Sequence, residues 1–154
     1  MSAAVLLAGG GLLGTLIAVR AEIEGFPLFA IGLISSLYFA GFVIGCVCTP
    51  ILVKRVGHVR VFAALSALIA SCVLTHALFV NVPVWIILRF ATGFGFSGLY
   101  ILIESWINEQ APNEKRGQIL SIYRMVDLAA MTAGQFMLAL YDPGEFALFS
   151  IVAI

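Results

Sequence analysis

Long apolar segments are the feature of this sequence that most constrains its fold. The hydrocarbon core of a bilayer is about 30 Å thick, so a helix that rises about 1.5 Å per residue needs roughly 20 apolar residues to cross it. Five segments of about this length follow one another, and a sixth of about nine residues reaches the end of the sequence. The segments are residues 3–19, 29–53, 59–80, 84–107, 117–141 and 146–154. The sequence therefore predicts an all-α integral membrane protein whose sixth helix is truncated.

The composition is that of a chain surrounded by lipid. Hydrophobic residues make up 62% and charged residues 10%, whereas soluble domains are about 25% charged. Eight basic and eight acidic residues give a net charge of zero. This balance excludes a nucleic-acid-binding protein, because no basic patch is available to contact phosphates. The three cysteines lie inside apolar segments, without the spacing of disulfides or metal ligands. We expect a lipid bilayer as partner, and neither a cofactor nor a metal.

The charges in the loops predict how the chain is oriented. Lysine and arginine residues next to membrane spans remain in the cytoplasm. The loops after the first and fifth segments contain Arg20 as their only basic residue, beside several acidic ones. The loops after the second and fourth segments contain Lys54, Arg55, Arg60, Lys115 and Arg116. The sequence predicts a multi-pass protein with a cytoplasmic N-terminus.

Three ring-bearing side chains are predicted at the membrane interfaces. Trp85 and Trp106 lie near the two ends of the fourth segment, and tryptophans at such positions form the aromatic belts of membrane proteins. His76 lies near the outer end of the third segment, where a lone histidine is typical of an interface. We therefore assign His76 no catalytic role.

Small residues recur at a spacing of four. Residues 9–14 match the pattern G-x-G-x-x-G, but no strand precedes them and no acidic residue follows at the distance that a dinucleotide site requires. Small residues at this spacing instead let helix backbones approach closely. We expect this role for Gly10 with Gly14, Gly41 with Gly45, and Gly93 with Ser97.

The fifth segment contains an acid and a base within the membrane, where ionisable side chains are costly and indicate function. Asp127 lies about ten residues into the segment, hence roughly 15 Å deep. Arg124 precedes it by three residues, so the two side chains share a helix face and can pair. Gln135, two turns beyond Asp127, is predicted to extend the polar stripe. A structural ion pair and a role in binding substrate or protons both remain open.

Two further charged residues lie in the fourth segment. Arg89 is about a turn and a half from the outer end, and its guanidinium keeps its charge, so it needs a partner or must reach the interface. Glu104 lies near the cytoplasmic boundary. It is expected to meet a basic residue of that side, as a gate or as an interface anchor; the candidates are Arg55, Arg60 and Arg116.

Around the fourth segment the sequence resembles a known family. Arg89-Phe-Ala-Thr-Gly93 and Glu109-Gln-Ala-Pro112-Asn-Glu-Lys-Arg116-Gly117 are similar to the R-x-x-x-G and E-x-A-P-x-x-x-R-G patterns of the major facilitator superfamily (MFS), the second being typical of its sugar porters. The stretch 98–109, with Arg116-Gly117 and Gly134-Gln135, more closely resembles the YcaD-like bacterial branch of this superfamily.

The signature loop of the superfamily, G-x-x-x-D-R-x-G-R-[RK], is only partly present between the second and third segments. Alignment on Gly57 matches Arg55, but places Lys54 at the acid and His58 at the next basic position, with Arg60 just beyond the motif. In the superfamily this acid helps to close the cytoplasmic side. The resemblance therefore implies an altered gate in which Glu104 or Glu109 replaces the missing carboxylate; the gate candidates are Arg55, Gly57, Arg60, Glu104, Glu109 and Arg116.

The resemblance implies a twelve-span fold of two six-helix halves, with a substrate cavity near the midplane and alternating access. Residues 1–154 would be the N-terminal bundle, with spans one, two, four and five facing the cavity, and the C-terminal half would be its absent partner. The location implied is a bacterial inner membrane. Neither a nucleophile–base pair nor a carboxylate dyad appears in the spacing, so no enzyme is predicted.

The predicted function is secondary active transport of a small polar solute, with coupling to protons left open. The candidate pathway residues are Asp127, Arg124, Arg89, Gln135 and Tyr100. Uncharged hydrogen-bonding side chains and tyrosines fit a sugar, whereas an acid among methionines and phenylalanines fits an exporter of drugs or amphiphiles. A scaffold or sensor that does not transport, or the product of a broken gene, is the alternative from another class.

Overall fold

The computed structural model of the chain describes residues 2–140, and the side chains of residues 10–133, 135 and 136. This part of the chain is entirely helical and contains no strand. Its five helices coincide with five of the six predicted segments, and the sixth, residues 146–154, lies outside the described residues. The helices are α1 (Ser2–Ile23), α2 (Leu28–Val56), α3 (His58–Leu78), α4 (Val82–Gln110) and α5 (Arg116–Leu140).

Three of the described helices, α2, α3 and α4, are long and apolar enough to cross a membrane. Two of them, α2 and α4, have 29 residues each. At about 1.5 Å per residue they are roughly 44 Å long and exceed the hydrocarbon thickness of about 30 Å. Both helices are therefore long enough for one end to extend beyond the hydrocarbon core. These ends carry Lys54 and Arg55 on α2 and Glu109 on α4.

A single glycine separates α2 from α3. Gly57 has φ +92°, a conformation that side chains disfavour. Its N–H donates to the carbonyl oxygen of Val53 at 2.9 Å and so closes α2, and its own carbonyl oxygen accepts from the N–H of Val61 in the first turn of α3. The backbone conformation at position 57 therefore favours glycine, independently of any role of Gly57 in a gate.

The helix α4 is the centre of the bundle, with α2 and α3 packed on either side of it. A Cβ atom on Gly41 would collide with the carbonyl oxygen of Phe90, and one on Gly93 would collide with that of Tyr38. The backbones of α2 and α4 therefore touch. The predicted packing role is confirmed for Gly41, Gly45, Gly93 and Ser97.

The helix α1 packs mainly on α5, again through glycine. A Cβ atom on Gly11 would lie 3.0 Å from the Cα atom of Met131. Gly10 faces the ring of Phe96 on α4, with 3.0 Å between that ring and an added Cβ, whereas no atom of a neighbouring helix lies within 4 Å of a Cβ added to Gly14. Of this predicted pair, only Gly10 lies where a side chain would crowd a neighbouring helix.

Two of the three side chains predicted at the membrane interfaces belong to a cluster of rings inside the bundle. Trp85 and His76 are fully buried, with ring centroids 5.6 Å apart, and Phe26 meets Trp85 edge-on at 5.2 Å. The indole N–H of Trp85 donates to the carbonyl oxygen of Phe79 at 2.7 Å. The assignment of Trp85 and His76 to an interface belt is therefore wrong, because both side chains face the bundle. Trp106 is half-buried between Phe62 and His58.

Large apolar side chains on α2 and α5 remain exposed in this bundle. Such surfaces are rare on soluble monomers and are typical of contact with lipid or with further protein. Examples from the two helices are Phe39, Val43, Val47, Met125, Leu128 and Phe136.

Substitution of Gly41 tests the contact between α2 and α4. We expect Gly41→Ala to lower the free energy of unfolding by about 1–3 kcal/mol, because the new methyl group must displace the Phe90 backbone. Gly32→Ala is the matched control on the same helix, since no atom lies within 4 Å of its added Cβ. Unfolding of the protein in detergent by SDS titration measures both. Equal stability of the two variants would contradict the close approach.

Candidate functional site

A cavity of about 580 Å³ opens between α2, α4 and α5. Its wall combines aromatic rings from α2 with charged side chains from α4 and α5, a mixture suited to a small organic molecule. The lining residues are Tyr38, Phe39, Phe42, Cys46, Ser97, Tyr100, Ile101, Glu104, Arg124, Asp127 and Met131.

One guanidinium is shared by two carboxylates at this cavity. Arg124 forms an ion pair with Glu104 of α4 and lies 3.4 Å, Nη1 to Oδ2, from Asp127. The Tyr100 hydroxyl donates to Oδ1 of Asp127 at 3.5 Å. Asp127 is 4% exposed, whereas the side chains of Arg124 and Glu104 are 55% and 34% exposed. The network therefore runs from the open mouth of the cavity to a buried acid.

Helical spacing explains how this network is assembled. Arg124 and Asp127 lie one turn apart on α5, and Tyr100 and Glu104 lie one turn apart on α4. Residues separated by three or four positions share a helix face. The predicted pairing of Arg124 with Asp127 is present. The predicted partners of Glu104 were Arg55, Arg60 and Arg116, and this expectation is wrong, because its face of α4 is turned toward Arg124 of α5.

The guanidinium of Arg89 contacts an aromatic ring and not a carboxylate of the described residues. Its side chain is 6% exposed, and its guanidinium carbon lies 4.7 Å from the centroid of the Tyr38 ring. Among the described residues no carboxylate lies within 4.0 Å of it, and its buried Nε has no hydrogen-bond partner. A cation over an aromatic face is stabilised by the ring quadrupole, more so when it is desolvated. Tyr38 lines the cavity and Arg89 does not, so Arg89 supports the wall.

Gln135 is not brought to the cavity. It is exposed, whereas Asp127 is buried, and the cavity lining does not include it. Eight residues at about 100° each leave the two side chains roughly 80° apart around the helix axis. The predicted polar stripe therefore does not continue from Asp127 to Gln135.

Apart from Glu104, which lies in the cavity wall, the gate candidates lie at the end of the bundle where α2 and α4 finish. Arg55, Arg60 and Arg116 are exposed there, and none forms an ion pair within the described part of the chain. Glu109 has a partner that the sequence reasoning missed: its Oε1 lies 3.9 Å from Nε2 of His58. His58 aligns with a basic position of the signature loop, and this alignment was the one sequence signal that indicated a contact with an acidic residue.

The sequence reasoning also missed Phe42 as a wall residue. Its ring centroid lies 6.2 Å from that of Tyr38 and 6.3 Å from that of Tyr100. Tyr38 and Phe42 are four residues apart on α2, a spacing that places two rings on one face. In a helix that is apolar on all sides, this pair alone does not reveal which face is inward.

Comparison with known proteins decides the family. A family model described as Major Facilitator Superfamily matches residues 1–154. The chain belongs to the major facilitator superfamily. An uncharacterized MFS-type transporter of Enterobacter sp. (strain 638) is 30% identical over 127 residues, which are 82% of this chain and 33% of that protein. The YcaD proteins of Escherichia fergusonii and Salmonella arizonae, both uncharacterized MFS-type transporters, are 28% identical over the same shares.

These matches confirm the predicted resemblance to the YcaD-like branch. With its apolar helices, this MFS chain is a multi-pass membrane protein. The relatives are transporters rather than enzymes by name. The chain spans about a third of the length of the relatives that it matches.

Removal of Arg124 tests the shared guanidinium. We expect Arg124→Met to lower the free energy of unfolding by about 1–3 kcal/mol, because the buried Asp127 carboxylate loses its positive partner. Adding Asp127→Asn to Arg124→Met is expected to restore much of the loss, since the remaining amide carries no charge. Thermal unfolding in detergent measures these differences.

The control for Arg124→Met is Lys115→Met, which removes one exposed positive charge from the loop before α5. It is expected to change stability by less than about 0.5 kcal/mol. A loss in Arg124→Met no larger than in Lys115→Met would contradict the network.

Proposed function

We propose that this chain is part of a secondary active transporter that moves a small solute with a polar group. The observation that carries the proposal is the Glu104–Arg124–Asp127 network, open to a cavity of about 580 Å³ in a membrane bundle. Ionisable residues inside a membrane mark the pathways of substrates and ions. Arg89 contributes to the same site through Tyr38, and Tyr100 through its contact with Asp127.

Alternating access is the proposed mode of transport. In this mechanism two helical bundles rock about a binding site near the midplane. The cavity is open on one side, and the relatives are about two and a half times as long as the chain, so a second bundle of six helices is the proposed opposing wall. The loop charges support a cytoplasmic N-terminus in a bacterial inner membrane. We propose that the basic residues near Gly57, together with Glu109, then contribute to a cytoplasmic gate.

The wall of the cavity also favours a second candidate, an exporter of amphiphiles. Beside the charged network, the lining is mainly apolar and includes Phe39, Phe42, Ile101 and Met131. Such a surface binds the hydrocarbon part of a solute by excluding water from it. The uncharged hydrogen-bonding groups of the lining are the hydroxyls of Tyr38, Ser97 and Tyr100. Ser97 already donates to the carbonyl oxygen of Phe94 at 2.9 Å and Tyr100 to Asp127, so few donors remain to surround a sugar.

Transport by the full-length protein in proteoliposomes tests the proposal. Radiolabelled glucose represents the polar solutes and ethidium the amphiphiles. We further propose that the buried Asp127 carries the coupled proton. We therefore expect a pH gradient to drive accumulation or expulsion of one of the two solutes, and Asp127→Asn to lower this gradient-driven flux at least tenfold.

The control is Glu114→Gln, which removes an exposed carboxylate from the loop between α4 and α5 and is expected to leave the flux unchanged. If flux in Asp127→Asn still depended fully on the pH gradient, Asp127 would not belong to the proton path. Absence of flux for every solute in a broad panel would contradict transport itself.

A further inference from the structure

The charges at the cavity do not balance. Glu104 and Asp127 contribute two negative charges, and within the described part of the chain Arg124 is the only basic residue of the lining. Arg89 is held at the Tyr38 ring and does not line the cavity. A water-poor environment strengthens electrostatic interactions several-fold over those in bulk water. A positively charged occupant would therefore be attracted by the carboxylates of Glu104 and Asp127, which reach the cavity directly, whereas the guanidinium of Arg89 is separated from it by the Tyr38 ring.

The buried acid has capacity for a further partner. The contacts of Asp127 with Arg124 and Tyr100 are 3.4 and 3.5 Å long, whereas charge-assisted hydrogen bonds are usually about 2.7–2.9 Å. An ionised carboxylate has roughly four acceptor positions. Asp127 is thus almost excluded from water, lines the cavity and is held by long contacts only. An ammonium or guanidinium group in the cavity could form the short bonds that Asp127 lacks.

The aromatic part of the wall fits the rest of such an occupant. The ring of Phe42 lies between those of Tyr38 and Tyr100, with centroids 6.2 and 6.3 Å away. Arg89 is over Tyr38 and Arg124 is 5.9 Å from the centroid of Tyr100, whereas no described cation lies over Phe42. Ring faces attract cations and pack against flat apolar groups.

We propose that the cavity binds a monovalent organic cation with a flat apolar body. Its positive group contacts Asp127 and Glu104 beside Arg124, and its body packs against Phe42. The volume of about 580 Å³ lies within the roughly 300–1,000 Å³ of pockets for drug-sized ligands. This inference rests on the proposed function, since it names the class of solute that the same site would carry.

Binding of three compounds of similar size and different charge to the full-length protein tests the charge. Isothermal titration calorimetry at pH 8 would compare 1-naphthylmethylamine, 1-naphthylmethanol and 1-naphthoate, which share a flat ring system. We expect the amine to bind at least tenfold more tightly than the alcohol, and the carboxylate to give no measurable binding. Equal or tighter binding of the alcohol or the carboxylate would overturn the proposal.

Two variants test the assignment to the carboxylates. Asp127→Asn and Glu104→Gln should each weaken binding of the amine roughly tenfold or more, as expected for loss of a bond to a charged group. Binding of the alcohol should stay unchanged, which a general distortion of the cavity would not allow. Glu104 is partly exposed, so its variant provides the test if Asp127→Asn does not fold.

The matched control is again Glu114→Gln, which removes a carboxylate outside the cavity and should bind the amine like the unaltered protein. Unchanged affinity for the amine in both Asp127→Asn and Glu104→Gln would contradict the proposed site. Amine binding without any flux would uphold this inference and contradict transport. If the protein transported a neutral solute and the amine did not inhibit this flux, transport would be upheld and the proposed binding of a cation would be contradicted.

Discussion

The direct contact between the backbones of α2 and α4 is the constraint on which the candidate site depends. Glycine at positions 41, 45 and 93 removes the side chains that would hold the two helices apart. Lipid supplies no hydrophobic force between helices, so close van der Waals contact must hold them together. This contact also sets Tyr38 and Phe42 of α2 beside Tyr100 of α4, which builds the aromatic wall of the cavity.

The charged part of the site depends on compensation within the bundle. A carboxylate as buried as Asp127 is costly unless a positive charge or hydrogen bonds stabilise it. The Arg124 guanidinium and the Tyr100 hydroxyl supply this stabilisation through long contacts, and the same guanidinium also pairs with Glu104. An excess of one negative charge persists beside apolar rings. This excess of negative charge among the lining residues is the basis of the proposed cation site.

Local patterns were sufficient to predict the helices and part of the site. Apolar length located all five described helices within a few residues, and the spacing of Arg124 and Asp127 on one helix predicted their contact. Partners on different helices were mostly missed. Glu104 was expected to meet Arg55, Arg60 or Arg116, and Trp85 was expected at an interface belt, because spacing along one helix carries no information on the rotation of its neighbour.

By itself, then, the sequence determined that the chain crosses a membrane, where its helices begin and end, and which small residues allow close packing. Only the tertiary structure decided that Arg89 lies over Tyr38, that Glu104 shares Arg124 with Asp127, and that Gln135 lies away from the cavity. The physical reason is that lipid and bundle interior are equally apolar. Hydrophobic periodicity therefore does not mark the inward face of a membrane helix, and the packing of its neighbours fixes that face instead.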